Sequence, residues 1–451
     1  MISLAEARAL IQANIRPLAA QTLPLGEAFG RVLREDVRAR EDMPAFDRSA
    51  MDGYAVALDD DSKQFRVVGE IQPGAAPAFK INRGEAARIF TGAQIPEGAS
   101  QVLMQENVRV EANSITPLQR NRTTHIRRRG EDARTGDLLL KSSSRLGAGE
   151  LALLASLGVV QPRASALCRI AHFVTGNELV DPAHEPKPGQ IRDSNGTLIA
   201  ALVRQFGGDL GVRTAAKLTP SPRPSGERVG VRGTEFEIVG LLTPALSSFE
   251  GGEGENDLER APTWALRQER VVDDFDLLFK KAREVENKFD LLLVSGGASV
   301  GDYDFGRRLL TTLGFQIHFE KINLRPGKPL IFATRGNQAA FILPGNPVSH
   351  FVVFHVAVRL ALELFVDAPI SWPLAQVQLA DKFDYRPDPR ETYWPARVVL
   401  EQGKLVARAV RWQSSGDVTG MAGANALLQF TSATQTLEAG SVVNALLLDV
   451  P

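Results

Sequence analysis

Residues 289–301 read FDLLLVSGGASVG, an uninterrupted apolar run that ends on a glycine-rich turn. A strand covered on both faces has no in/out alternation, because neither face meets water. DFGRRLLTTLG (304–314) follows as an amphipathic helix. The same grammar recurs on either side. CRIAHFV (168–174) is a short apolar run followed by the turn TGNE, and Asp193 or Ser194 can cap a helix through LIAALVRQF that Gly207 and Gly208 end. Downstream, FQIHFEKI, PLIFAT and AAFILPG are three further strands, and PVSHFVVFHVAVRLALELF is a long helix. Strands of this kind separated by helices predict a doubly wound, mostly parallel α/β domain over residues 166–368.

Outward from that domain the pattern changes twice. Residues 1–165 open on a helix, with Ser3 and Glu6 as a capping box, and continue in short runs broken by Pro and Gly, which predicts a composite α+β region. Residues 369–451 carry short strands between turns and predict a small β-barrel. About residues 218–270 are rich in Gly, Pro, Ser and charge. A structureless loop of this length is foreign to a compact α/β domain, so it reads as a surface insertion. Removing it joins VRTAAK to VVDDFDLLFKKARE and restores a strand, a turn and a helix.

Composition narrows the function. The 451 residues are 44% hydrophobic and 23% charged, with 52 Lys+Arg against 53 Asp+Glu. A net charge of −1 lacks the basic excess needed to coat nucleic acid or an anionic membrane. The single cysteine, Cys168, has no partner for an internal disulfide. No run approaches the roughly 18 consecutive apolar residues of a membrane span, and the N-terminus lacks signal-peptide features. The expectation is a cytoplasmic protein.

The chemistry concentrates at strand ends. Gly296, Gly297 and Ser299 form a turn between strand and helix, where free N–H groups can hold a phosphate. Pro344, Asn346, Pro347 and Ser349 repeat that layout. Between the two turns, Lys321, Arg325 and Lys328 place three cations within eight residues beside prolines, a composition suited to an oxyanion. Glu178, Asp273, Asp274, Asp302 and Asp304 face the same edge. Acids converging on a phosphate site hold Mg²⁺, because this hard ion bridges carboxylate and phosphate oxygens.

Eight segments in order, PAFDRSAMDGYAV, IFTGAQIPEGA, IRRRGEDARTGD, VTGNEL, DSN, SGGASVGDYD, RPGKP and LPGNPVS, resemble the molybdopterin molybdenumtransferase family, which includes bacterial MoeA and the gephyrin E domain. The resemblance covers nearly the whole chain outside the insertion. It implies an L-shaped homodimer that converts adenylyl-molybdopterin plus molybdate to molybdenum cofactor plus AMP, with Mg²⁺. The charges of the pocket suit that chemistry: molybdate is a dianion for Lys321, Arg325, Lys328 and Ser349, and Mg²⁺ suits Glu178, Asp274 or Asp273, and Asp304. The resemblance also places Asp52 and Thr91 in the active site, reaching it across the dimer. Arg325 stands where a lysine is usual and Asn177 where an aspartate is. Pro395 stands where the family carries an arginine, and Arg397 is the candidate to replace it. A non-catalytic molybdopterin-binding or assembly protein, or a generic nucleotide-binding α/β enzyme, are the rival readings.

Overall fold

The computed structural model describes residues 1–119, 122–210, 215–216, 238–239, 266–296, 303–385, 388–431 and 437–448. The chain forms two compact units: Met1–Arg34 with Ser143–Ala155 and Val159–Pro451, and Glu35–Ser142 with Ser156–Gly158. The stretch expected as one region over residues 1–165 is therefore shared between them.

In the larger unit, helix α1 (Leu4–Asn14) starts at the expected box. Ser3 Oγ accepts the Glu6 N–H at 3.2 Å, and the Glu6 carboxylate accepts the Ser3 N–H at 2.7 Å. The central sheet contains β1 (Ile170–Thr175), β2 (Leu266–Val271), β3 (Leu291–Ser295), β4 (Gln316–Lys321), β5 (Pro329–Arg335) and β6 (Gln338–Leu343). Their spatial order is β2-β1-β3-β6-β5-β4. The first four are mutually parallel. Strands β5 and β4 turn back antiparallel, because residues 336–337 and 322–328 are too few for a parallel crossover.

Helices α2 (Asn195–Leu210), α3 (Phe275–Glu284), α4 (Tyr303–Thr312) and α5 (Pro347–Val366) complete the layers. Along β3, Leu291 and Leu293 join a core with α1, α2 and α5, while Leu292 and Val294 join another with α3 and α4. Two covered faces account for the unbroken apolar run.

Two local expectations are corrected. The insertion does not extend to Arg270, since Leu266–Val271 is the sheet's edge strand and pairs in parallel with β1. Its charged residues mislead because an edge strand has one neighbour and keeps polar side chains. Helix α2 also runs through Gly207 and Gly208 to Leu210, which shows that a glycine pair weakens a helix without obliging it to stop. Most of the insertion, including its central residues, lies outside the described residues.

Helix α5 is long and apolar enough by length and composition to span a bilayer, but 89% of its most apolar window is buried inside the fold. It is the central core helix, and its middle, Phe354–Val358, widens into a π turn.

Strands β7 (Leu374–Leu379), β8 (Glu391–Glu401), β9 (Lys404–Ala409), β10 (Ala426–Phe430) and β11 (Val442–Leu447) form the predicted barrel. The order β8-β9-β7-β11-β10 closes when β10 pairs back onto β8. Val377, Val398, Leu428 and Phe430 fill the interior.

The smaller unit holds its own six-stranded sheet, mostly antiparallel. Its faces bury Ile71, Ile89 and Val102 on one side and Phe65, Leu103 and Ile115 on the other.

Candidate active site

A cleft of about 1290 Å³ opens at the carboxyl ends of the parallel strands, between the α/β layers and the barrel of the same unit. Strand order reverses here. Strand β2 lies on one side of β1 and β3 on the other, so loops after β1 and β3 diverge and leave a crevice at the switch point. Thr175 and Gly296 end those adjacent strands. Gly296 has φ +98°, and an added Cβ would stand 2.5 Å from the Thr175 carbonyl oxygen, so only glycine fits.

Acids and cations both line the cleft: Glu178, Asp273 and Asp384 with Arg192, Arg325, Lys328 and Arg390. Glu178 follows β1 and Asp273 follows β2, and both line it. The Asn177 carboxamide oxygen accepts the Asp273 N–H at 3.0 Å, and the Asn177 N–H donates to Asp273 Oδ2 at 3.3 Å, so the two turns are tied reciprocally. An amide at position 177 keeps this exchange without setting a second negative charge against Asp273.

The β4–β5 loop contributes Arg325 and Lys328. Three strand spacings separate β1 from β5, roughly 14 Å at the usual inter-strand distance. Gly327 closes that loop with φ +112°, where a Cβ would stand 2.6 Å from Val353 Cγ2.

The third wall is polar backbone and hydroxyl. Pro344, Gly345, Asn346, Pro347 and Ser349 line the cleft at the start of α5. Asn195 Nδ2 donates to the Gly345 carbonyl at 2.7 Å. Its Oδ1 is buried with no hydrogen-bond partner among the described residues, an acceptor available to a ligand N–H or O–H.

Several predicted residues lie elsewhere. Asp274 does not line the cleft; it is the N-cap of α3, and its carboxylate accepts the Leu277 N–H at 2.9 Å. Lys321 ends the edge strand β4 away from the cleft. Arg397 is exposed on β8, in register with Arg408 of β9, and also stands outside it. Gly297, Ser299 and Asp302 fall outside the described residues, as does the side chain of Asp304. Asp52 and Thr91 belong to the smaller unit, where they bond each other. The Thr91 N–H and hydroxyl donate to Asp52 Oδ1 at 2.7 and 2.8 Å, which holds that carboxyl below the usual carboxylate range. Among the described residues no three His, Cys, Asp or Glu side chains gather as a metal site.

The structure adds residues that sequence reasoning missed. Arg390, just before β8, lines the cleft. Its guanidinium holds Asp388 with two bonds of 2.8 Å, and Arg325 Nη1 reaches the same carboxylate at 3.3 Å. The Arg390 hydrogen bonds above all lower the Asp388 pKa to about 2. Trp394 and Trp412 stack edge to face at 4.6 Å beneath the cations, and Ser415 Oγ accepts from Asn346 Nδ2 at 2.6 Å. A faint signal existed in the DPRE turn, but Arg390 lies 65 residues from Arg325 in the chain, and only the parallel pairing of Leu324–Arg325 with Glu391–Thr392 at the start of β8 brings them together.

A crevice at a switch point of an α/β fold, with N–H-rich turns, hydroxyls and four lining cations, is of the kind that suits phosphorylated or oxyanionic small molecules. The comparisons with known proteins make this specific. Three family models match: the MoeA N-terminal region (domain I and II) over residues 2–158, the probable molybdopterin binding domain over 257–363, and the MoeA C-terminal region (domain IV) over 376–448. The molybdopterin molybdenumtransferase of Nostoc sp. (strain PCC 7120) is 30% identical over 443 residues, 95% of this chain and 89% of that protein. Its namesake in Bacillus subtilis (strain 168) is 29% identical over 436 residues, 94% of this chain and 89% of that protein. The crystal structure of a molybdopterin biosynthesis MoeA protein from Pyrococcus horikoshii OT3 shares the fold, with a TM-score of 0.72 at 23% identity, across 99% of this chain and 100% of that one. The chain belongs to the molybdopterin molybdenumtransferase family.

Proposed function

We propose that this chain inserts molybdenum into molybdopterin, converting adenylyl-molybdopterin and molybdate to molybdenum cofactor and AMP. The observation that carries the proposal is one large cleft lined by carboxylates after β1 and β2, Glu178 and Asp273, and by cations about the β4–β5 loop, Arg325, Lys328 and Arg390, with Arg192 and Asp384 completing its charged lining. Its volume of about 1290 Å³ exceeds the ~300–1,000 Å³ of a site for one drug-sized ligand. A two-part nucleotide substrate and a separate tetrahedral dianion together need such a space.

The residue roles follow from charge. Lys328 lines the cleft and has no ion-pair partner among the described residues, so its ammonium is available to a ligand anion. Arg325 and Arg390 share Asp388, so these three charges combine to one net positive; Lys328 adds one and Asp384, which also lines the cleft, offsets one. Ser349 and the turn N–H groups donate to the remaining oxygens. Molybdenum is a substrate atom whose soft sulfur ligands come from the pterin dithiolene, so the protein has no need of thiolates to hold it.

Release of AMP calls for neutralising phosphate charge. Mg²⁺, when bound, would supply this. Glu178 and Asp273 are the residues placed to hold it, a donor set that suits an ion taking one or two carboxylates plus substrate phosphates. Asp274 is engaged as a helix cap and is not part of this proposal. A cytoplasmic homodimer is the expected assembly, with Asp52 and Thr91 as its further candidate catalytic residues.

Single-turnover conversion of adenylyl-molybdopterin with molybdate tests the proposal by AMP release. Release above a protein-free control supports insertion. Tight pterin binding with no AMP formed would assign the chain to molybdopterin binding or assembly instead.

A further inference from the structure

Beneath the cleft, four polar side chains from four elements form one continuous hydrogen-bonded line. Gln268 on β2 meets His172 Nδ1 at 2.9 Å, His172 Nε2 on β1 meets Ser295 Oγ on β3 at 2.6 Å, and Ser295 Oγ meets His350 Nε2 on α5 at 2.7 Å. The line ends where His350 Nδ1 faces the Asn346 carbonyl at 3.3 Å. His172, Ser295 and His350 are each 0% exposed.

The end of the line dictates every direction within it. A backbone carbonyl only accepts, so His350 Nδ1 carries the hydrogen. Burial holds both rings neutral, pushing His350 down to about 4 and His172 to about 3. A neutral ring has one acceptor nitrogen, so His350 Nε2 accepts from the Ser295 hydroxyl. That hydroxyl oxygen then accepts the His172 Nε2–H, and His172 Nδ1 accepts from the Gln268 amide. No donor faces another donor anywhere along the line.

Both halves of the line touch cleft residues. Ser295 directly precedes Gly296. His350 directly follows Ser349 and bonds the carbonyl of Asn346. We propose that Gln268, His172, Ser295 and His350 are positioning residues that fix the distance between the turn at Gly296 and the turn at Pro344–Ser349, and that this distance sets how tightly the cleft holds an anion. The inference rests on the cleft being the substrate site; the line itself stands on geometry alone. Hydrogen-bonded groups buried in low dielectric are costly to leave half-paired, which makes such a brace stiff.

Three measurements on the full chain test it. ¹⁵N spectra of histidine-labelled protein at pH 7 should show His172 as the Nε2–H tautomer and His350 as the Nδ1–H tautomer, assigned by loss of signal in H172Q and H350Q. Reversed tautomers or imidazolium signals would overturn the proposal. Amide hydrogen exchange at Gly296 and Gly345 should quicken about tenfold in H350L, which keeps bulk without an acceptor. It should return towards wild type in H350Q, whose carboxamide oxygen can accept from Ser295. AMP affinity should fall and recover in the same order. Exchange unchanged in H350L, or no rescue by H350Q, would refute the brace. Should H350L not fold, Q268L takes its place, because it removes only the donor at the edge strand. Wild-type protein that fails to bind AMP would count against the proposed function, while tautomers and exchange rates would still decide the brace.

Discussion

Arg390 and Asp388 form a bidentate pair at the rim of the cleft: Nε and Nη2 each lie 2.8 Å from a carboxylate oxygen, and the Arg390 backbone N–H adds a third bond at 2.9 Å. A guanidinium held by its own loop stands in a fixed plane, and Arg390 lines the cleft from there. Arg325 shares the carboxylate, and its short strand Leu324–Arg325 pairs in parallel with Glu391–Thr392, so the loop after β4 and the barrel are tied here. This part of the site is thereby built from two domains within one unit.

Arg390→Ala is expected to raise the molybdate requirement for AMP release by about 10–100-fold, the equivalent of the ~1.5–3 kcal/mol of a charged hydrogen bond. Arg397→Ala, on the exposed face of β8, should leave it within twofold. Titration of molybdate in single-turnover assays compares the two directly, and equal effects would return the role to Arg397.

Lys328→Ala should raise the same requirement by a similar factor while leaving the urea midpoint unchanged, because the ammonium has no ion-pair partner among the described residues to lose. A shifted midpoint with an unchanged molybdate requirement would make Lys328 structural.

Asp388 carries a pH signature. Its carboxyl titrates near 2 in the folded chain, below the ~3.9 of an unfolded aspartate. A depressed folded pKa gives stability that is complete above the unfolded value and is lost as pH falls through the folded one. Wild-type protein should therefore lose more stability than Asp388→Asn between about pH 4 and 2. Parallel urea midpoints for the two proteins across that window would remove the linkage.

Gly296→Ala should destabilise by more than ~1 kcal/mol, since it forces a positive φ on alanine and drives a Cβ to 2.5 Å from the Thr175 carbonyl oxygen. Denaturant unfolding measures it. Gly345→Ala, where no heavy atom lies within 4 Å of the added carbon, is the matched control.

Excising residues 219–264 should leave a folded protein, because loop-closure entropy changes only logarithmically with length. Extending the cut to residue 270 should not, since it deletes most of β2 and with it Gln268. Circular dichroism and gel filtration of both deletions separate a dispensable insertion from an edge strand.

Much of the fold was legible in the sequence because its signals are local. The run at 291–294 is apolar at every position because β3 has a core on each face. Ser3 and Glu6 mark a helix start because they are three residues apart whatever else the chain does. Strand β2 was hidden, since LRQERV has the composition of a loop and becomes a strand by pairing with β1, almost 100 residues earlier. Of the candidate site, Glu178, Asp273, Gly296, Arg325, Lys328 and the 344–349 turn were found because glycine, proline and charge at strand ends are conspicuous. Asp274 was assigned beside Asp273 because sequence adjacency cannot tell a helix cap from a cleft side chain.

By itself the sequence determined most of the strands and helices, β2 excepted, and the two turns at strand ends, all consequences of periodicity and backbone stereochemistry that act over a few residues. Only the tertiary structure decided that Arg390 and not Arg397 lines the cleft, that acids and cations from distant segments share it, and that two buried histidines join through Ser295. Those facts depend on strand order, barrel closure and the direction in which each residue points, and such long-range geometry leaves no local trace in the order of side chains.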